Sequence, residues 1–245
     1  DLDFKDVTDD YACLGIFGPK SRDLLSKLSN DDFSKETFKF GDGKSSNINS
    51  KKVWIQRLSY VGELGYEIYS KIEDAKSIYN LIIEEGEKFK LSLCGSHAMD
   101  VMRMESGFLH WGHDISPEEN QFEAGLNFAI SFKKDANFIG KEQLTKYKDK
   151  KPKKRFIMLS LKNNNPGQPL LLHEEPIYLD DKIIGRTTSG NYSFNYNKNL
   201  SFGYVSSNYS NHELSSKNLY IEVAKCKYPV NVELHPLKSS KIRNS

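Results

Sequence analysis

The segment SYVGELGYEIYS, residues 59–70, sets Glu63 and Glu67 four residues apart across a glycine-containing bend, with aromatic residues on both sides. An ionised carboxylate only accepts hydrogen bonds and can take two parallel N–H donors. It therefore suits a heterocycle that presents an amino group beside a ring N–H, as a 2-amino-4-oxo pterin does. Tyr60 or Tyr66 would cover the face of such a ring, since a phenol offers a flat apolar wall with a polar tip. The same residues also read as a plain hairpin with solvated charges, and strand alternation lets only some of these groups converge.

A second constellation lies in MDVMRMESGFLHWGHDISPEENQFEAGL, residues 99–126. Asp100 and Arg103 stand at i and i+3 of an expected helix, the spacing of a surface ion pair. Alternatively, Arg103 turns inward and sets its planar fork on a carboxylate or carbonyl of a ligand. After the helix, His110, Trp111, His113 and Asp114 crowd around Gly112. The H-x-x-H spacing in a loop matches no metal-ligand motif, and a third ligand is not evident, so no metal is expected. Hydrogen-bonded structural histidines are the simpler reading, beside that of a titrating base. GxGxxG, GxxxxGK[ST] and GxSxG are all absent, which argues against nucleotide binding by those routes and against a serine hydrolase.

These groups need elements to hold them. VWIQRLSY (53–60) reads as a strand with Val53, Ile55 and Arg57 on one face and Trp54 and Leu58 on the other. YEIYS returns as a second strand. Helical spacing is expected in SRDLLSKLS, in 73–89, in 96–106 from Ser96 and in 140–147. The stretch NDDFSKETFKFGDGKSSNINS reads as polar loop with a little strand. The basic run KYKDKKPKKR (146–155) marks the expected domain boundary as a solvated linker. Beyond it, RFIMLSL, EPIYLDDKIIGRTTS, LSFGYVS, LYIEV and YPVNVELH predict a small all-β barrel or sandwich, with Asp180-Asp181 as a tight turn.

Of 245 residues, 38% are hydrophobic and 28% charged, enough for one large domain or two smaller ones with real cores. Thirty-five basic against 33 acidic residues leave a net charge of +2, which gives no electrostatic case for nucleic acid. Cys13, Cys94 and Cys226 show no CxxC or disulfide-framework spacing, so buried, inert thiols in a reducing compartment are expected. No run of 18 apolar residues is present to span a membrane as a helix.

Taken in order, YVGELGYEIY, HAMDVMRMESGFLHWGHDI, FEAGLNFAI and FIGKEQL resemble the folate-binding T-protein family, which includes the glycine cleavage aminomethyltransferase. GELGYE, HWGHDI and EAGL look closest to the C-terminal folate part of dimethylglycine and sarcosine dehydrogenases. GRTTSGNYSF and LSFGYV look like their terminal β-domain. The resemblance runs from about residue 8 to about 235. It implies an α+β fold: residues 1–147 as the latter part of the folate-binding region, and 148–245 as a small C-terminal β-barrel domain.

The resemblance also implies tetrahydrofolate as the cofactor and 5,10-methylenetetrahydrofolate as the product of one-carbon transfer from an oxidised N-methyl amine. FAD enters only with an upstream dehydrogenase domain. By position, Glu67 matches the glutamate that binds the pterin, and Tyr60 the tyrosine of the family's Y-x-G-E segment. Arg103 matches the arginine of its LRLE helix as a folate contact. Trp111 stands where a tyrosine is usual and would pack beside the cofactor, while Glu63 would hold the bend. The family's catalytic aspartate lies upstream of the matched region. None of Asp1, Asp3, Asp6, Asp9 or Asp10 has a matching context, so no catalytic residue is assigned and the chain is expected to be a C-terminal fragment. Its expected partners are folate, an amine-derived one-carbon donor, and the missing N-terminal segment or FAD domain. The expected compartment is the bacterial cytoplasm or the mitochondrial matrix. A glycine cleavage T-protein and a non-catalytic folate-binding or assembly module are the alternatives.

Overall fold

A computed structural model of the chain describes residues 2–163 and 165–238. Their contacts form two compact units, one of residues up to Met99 and one of Asp100–Lys238.

In the first unit, β1 (Tyr11–Phe17), α1 (Ser21–Leu28), β2 (Gly43–Ile48), β3 (Lys51–Gln56), β4 (Gly65–Lys71) and α2 (Ile72–Gly86) follow in chain order. The strands form an antiparallel sheet in the order β1-β4-β3-β2. Period-2 alternation decides its faces. Val53, Ile55, Tyr66 and Ile68 are buried with Leu24 and Leu25 of α1 and Ile78 and Ile82 of α2, whereas Trp54 stays 46% exposed. Asn49 and Ser50, both at positive φ, make the two-residue turn between β2 and β3, the conformation that matches strand twist.

Two expectations change here. The polar stretch after α1 contributes Phe33 and Phe38 to the core, because two isolated rings are enough to anchor a loop whose remaining residues are solvated. Tyr66 is fully buried and stacks on Phe38, with ring centroids 6.1 Å apart. It lies on the core phase of β4 beside Ile68 and so cannot wall a ligand.

In the second unit, α3 (Ser96–Glu105), which begins in the first, is followed by α4 (Lys141–Lys148) and then the strands β5 (Lys154–Leu161), β6 (Pro176–Leu179), β7 (Lys182–Ser193), β8 (Lys198–Ser206), β9 (Leu219–Val223) and β10 (Cys226–Glu233), with α5 (Asn211–Ser216) between β8 and β9. The six strands close into a barrel in the order β10-β5-β8-β7-β6-β9, filled by Leu159, Leu161, Ile177, Val205, Ile221 and other aliphatic residues. Closure removes the exposed strand edges of an open sheet. Asp180-Asp181 makes the turn between β6 and β7, with Asp180 in the left-handed region. Gly185 marks a close strand approach, since a Cβ there would stand 1.9 Å from the Tyr204 carbonyl oxygen.

Residues 100–147 group with the barrel. The hydrogen bonds explain this: Phe156 N–H donates to the Glu123 carbonyl at 2.8 Å, and Lys154 pairs with Glu119 at 2.5 Å. All three cysteines are exposed, contrary to the burial expected of them. Cys13 falls on the outward phase of its strand and Cys226 opens β10. Among the described residues no helix is long and apolar enough to cross a membrane.

Candidate functional site

The register of the first sheet builds a face around Glu67. Gly15, Glu67, Gln56 and Gly43 lie side by side across β1, β4, β3 and β2. The next row holds Cys13, Tyr69, Trp54 and Ser45. This face points away from the core, and Glu67 and Tyr69 on it are half-buried.

Tyr69 Oη donates to Glu67 Oε2 at 2.6 Å, which orients the carboxylate. That bond comes first among the causes that push the Tyr69 phenol well above its usual range, because the phenolate would lose it. The glycines make room for rings. A Cβ on Gly65 would meet Phe17 Cδ1 at 2.2 Å, and one on Gly43 would meet Trp54 Cζ2 at 2.5 Å. Phe17 and Trp54 thus lay flat apolar surface on the same face of the sheet as the Glu67 carboxylate. Tyr60 is half-buried in the bend that precedes β4, and so is Glu63.

Sequence reasoning missed Tyr69, Gln56 and Cys13. The signal for Tyr69 was present, since it stands two residues after Glu67 in the same strand. Gln56 and Cys13 share the face only through cross-strand register, which the sequence does not display. Cys13 also reports on Glu67: desolvation of its sulfur, and then the Glu67 charge, push the thiol above its ordinary range. Substituting Glu67→Gln should therefore speed alkylation of Cys13 at fixed pH by roughly threefold, because thiolate is the reacting form. Iodoacetamide labelling with peptide mapping measures this, and an unchanged rate would refute the proximity.

The other two expected residues lie in the second unit. Arg103 is 1% exposed, and all five of its N–H groups have acceptors inside that unit. Nε donates to Asp100 Oδ1 at 2.9 Å and one Nη reaches the same oxygen at 2.8 Å. The remaining donors go to the Phe108 carbonyl, to Ser189 Oγ at 2.7 Å and, in a very short bond, to Asp114. Asp114 is equally buried and accepts from Thr188 Oγ1 at 2.5 Å, Ser189 Oγ at 2.8 Å and the His110 N–H at 2.9 Å. The Asp100–Arg103 pair is thus part of an interior network rather than a surface pair. Glu105, also fully buried, accepts from Ser193 Oγ at 2.6 Å and from Asn195.

The network ties α3 to β7 and fixes the loop that presents Trp111, which is 66% exposed. The His110 and His113 rings lie 4.6 Å apart between centroids, tilted by 39°. Among the described residues no group of three or more His, Cys, Asp or Glu is disposed to hold a metal ion.

A four-stranded sheet with an oriented carboxylate on its outward face, followed by a six-stranded barrel whose β7 hydroxyls bond to a buried ionic network on α3 and the loop after it, defines a two-part α+β architecture. The family described as the GCVT N-terminal domain matches residues 1–134, and the glycine cleavage T-protein C-terminal barrel domain matches residues 154–238. The chain belongs to the glycine cleavage T-protein family. It is 37% identical over 205 residues to the mitochondrial dimethylglycine dehydrogenase of Homo sapiens, covering 84% of this chain and 23% of that protein. It is 33% identical over 210 residues to an aminomethyltransferase of Listeria welshimeri, covering 86% of this chain and 56% of the relative. The crystal structure of the glycine cleavage system aminomethyltransferase T from Bartonella henselae shares the fold, with a TM-score of 0.79 at 21% identity, covering 94% of this chain and 60% of that one. The chain thus spans about a quarter of the dehydrogenase and just over half of the aminomethyltransferases.

Proposed function

We propose that the outward face around Glu67 is the pterin seat of a tetrahydrofolate-dependent one-carbon transfer, forming 5,10-methylenetetrahydrofolate from an oxidised N-methyl amine. The observation that carries this reading is the Glu67 carboxylate, held by Tyr69 on a face flanked by Phe17 and Trp54. The donor set fits the group. One carboxylate lone pair is taken by Tyr69, and both oxygens keep lone pairs for the amino and N–H edge of a pterin. Tyr60 is proposed to line the same seat.

When bound, tetrahydrofolate supplies the two amines, N5 and N10, that take up the one-carbon unit. The chain's own part is positioning. Fixing the ring through Glu67 holds those amines where an incoming electrophile can meet them, and orientation of this kind lowers the barrier without acid–base chemistry. Arg103 is proposed as a positioning residue rather than a folate contact, because its donors are all engaged. It holds the loop that carries Trp111, which is proposed as a cofactor-binding residue from its position in the sequence alone.

The relatives named as dehydrogenases favour the folate module of a dimethylglycine or sarcosine dehydrogenase-like enzyme, with FAD in a separate domain. The relatives named aminomethyltransferase support the glycine cleavage reading as the alternative. The proposed compartment is the bacterial cytoplasm or the mitochondrial matrix. Single-turnover assay of the protein with tetrahydrofolate and formaldehyde, followed by detection of methylenetetrahydrofolate, tests the proposal. Formation well above the uncatalysed rate supports it, whereas folate binding without acceleration identifies a non-catalytic binding module.

A further inference from the structure

Gln56 lies directly opposite Glu67 in the β3–β4 ladder and on the same outward face. Side chains in this relation have Cβ atoms about 5 Å apart, close enough to act on one small ligand together. Gln56 is half-buried, and among the described residues its amide has no side-chain or backbone hydrogen bond. Its neighbour Glu67 is already oriented by Tyr69. Glycines at both ends of the row, Gly15 and Gly43, leave no other polar side chain in line with the pair.

We infer that Gln56 is a specificity-determining residue that completes the ligand-reading edge begun by Glu67. The inference rests on the reading of this face as the pterin seat. A 2-amino-4-oxo ring presents two donors and then an acceptor along one edge. Glu67 supplies the two complementary acceptors, and the Gln56 NH₂ supplies the donor for the oxo group. Together they read the oxo group as well as the amino group, so a ring with the same shape and a different edge is rejected by unpaired polar groups.

The test is calorimetric titration of tetrahydrofolate into the wild-type protein and its Gln56→Leu, Gln56→Glu and Glu67→Gln variants. Gln56→Leu removes the donor and should weaken binding about tenfold. Gln56→Glu sets an acceptor against the oxo group beside a second carboxylate and should weaken it by about a hundredfold. The order Gln, Leu, Glu separates recognition from packing, and thermal midpoints confirm that each variant folds. If Glu67→Gln weakens binding but both Gln56 variants stay within twofold of wild type, or fall equally, the role of Gln56 is overturned and the pterin seat stands. If Glu67→Gln has no effect, or the wild-type protein does not bind, the seat itself is wrong and the inference falls with it.

Discussion

Replacing Asp114 by alanine is expected to destabilise the barrel unit by roughly 3 kcal/mol, because it removes the fully buried countercharge of Arg103 and leaves that guanidinium only the partly exposed Asp100 carboxylate. Both side chains are almost wholly excluded from solvent. Asp114 also accepts from Thr188, Ser189 and the His110 amide, so its removal orphans several donors together. For a protein of this size the loss corresponds to a fall in thermal midpoint on the order of 10 °C. Urea unfolding followed by circular dichroism measures it. Adding Arg103→Leu should recover part of the loss, since removing both charges costs less than stranding one. A shift below about 1 kcal/mol for the single variant would show that the network is not the keystone described above.

Glu67→Gln should behave in the opposite way, with little effect on folding and a large effect on binding. The substitution is nearly isosteric on an outward face, so the thermal midpoint should change little. The amide keeps one acceptor and turns a donor toward the ligand's own donors. Losing a charge-assisted pair and creating a donor–donor clash is worth about 2.7 kcal/mol, or roughly a hundredfold in the dissociation constant for tetrahydrofolate. A change of less than about threefold would remove Glu67 from the site.

The parts of the molecule legible in the sequence were those written in local period. The alternation in VWIQRLSY put Val53 and Ile55 on one face and Trp54 on the other, and the structure buries the first face and leaves Trp54 exposed. The helix at 96–106 and the Asp180-Asp181 turn were equally local, and the regular spacing of the later strands carried the barrel. Phe33 and Phe38 were hidden because two rings separated by polar residues give no periodic signal, although each packs on Tyr66.

The network at Arg103 was hidden for another reason. Asp100 lies three residues away and was visible as a pair, but Ser189 is 86 residues away and joins only through the closed barrel. Proximity along the chain therefore showed an ion pair and not its burial. The thiols misled because burial statistics for cysteine say nothing of strand phase, and Cys13 falls on the exposed side. On the Glu67 face, Tyr69 was within reach of the same alternation, while Gln56 and Cys13 required a register that only the assembled sheet provides.

The most direct measurement is the rate of Cys13 alkylation as tetrahydrofolate is titrated in, with Cys94 and Cys226 as internal references. Cys13 sits one row from Glu67 on the same face, so a pterin seated there covers it. The expected result is a saturable slowing of Cys13 labelling at the ligand concentrations that saturate binding, lost in Glu67→Gln, with the other two thiols unaffected. Saturable binding that leaves the Cys13 rate unchanged would place the ligand elsewhere and contradict the account.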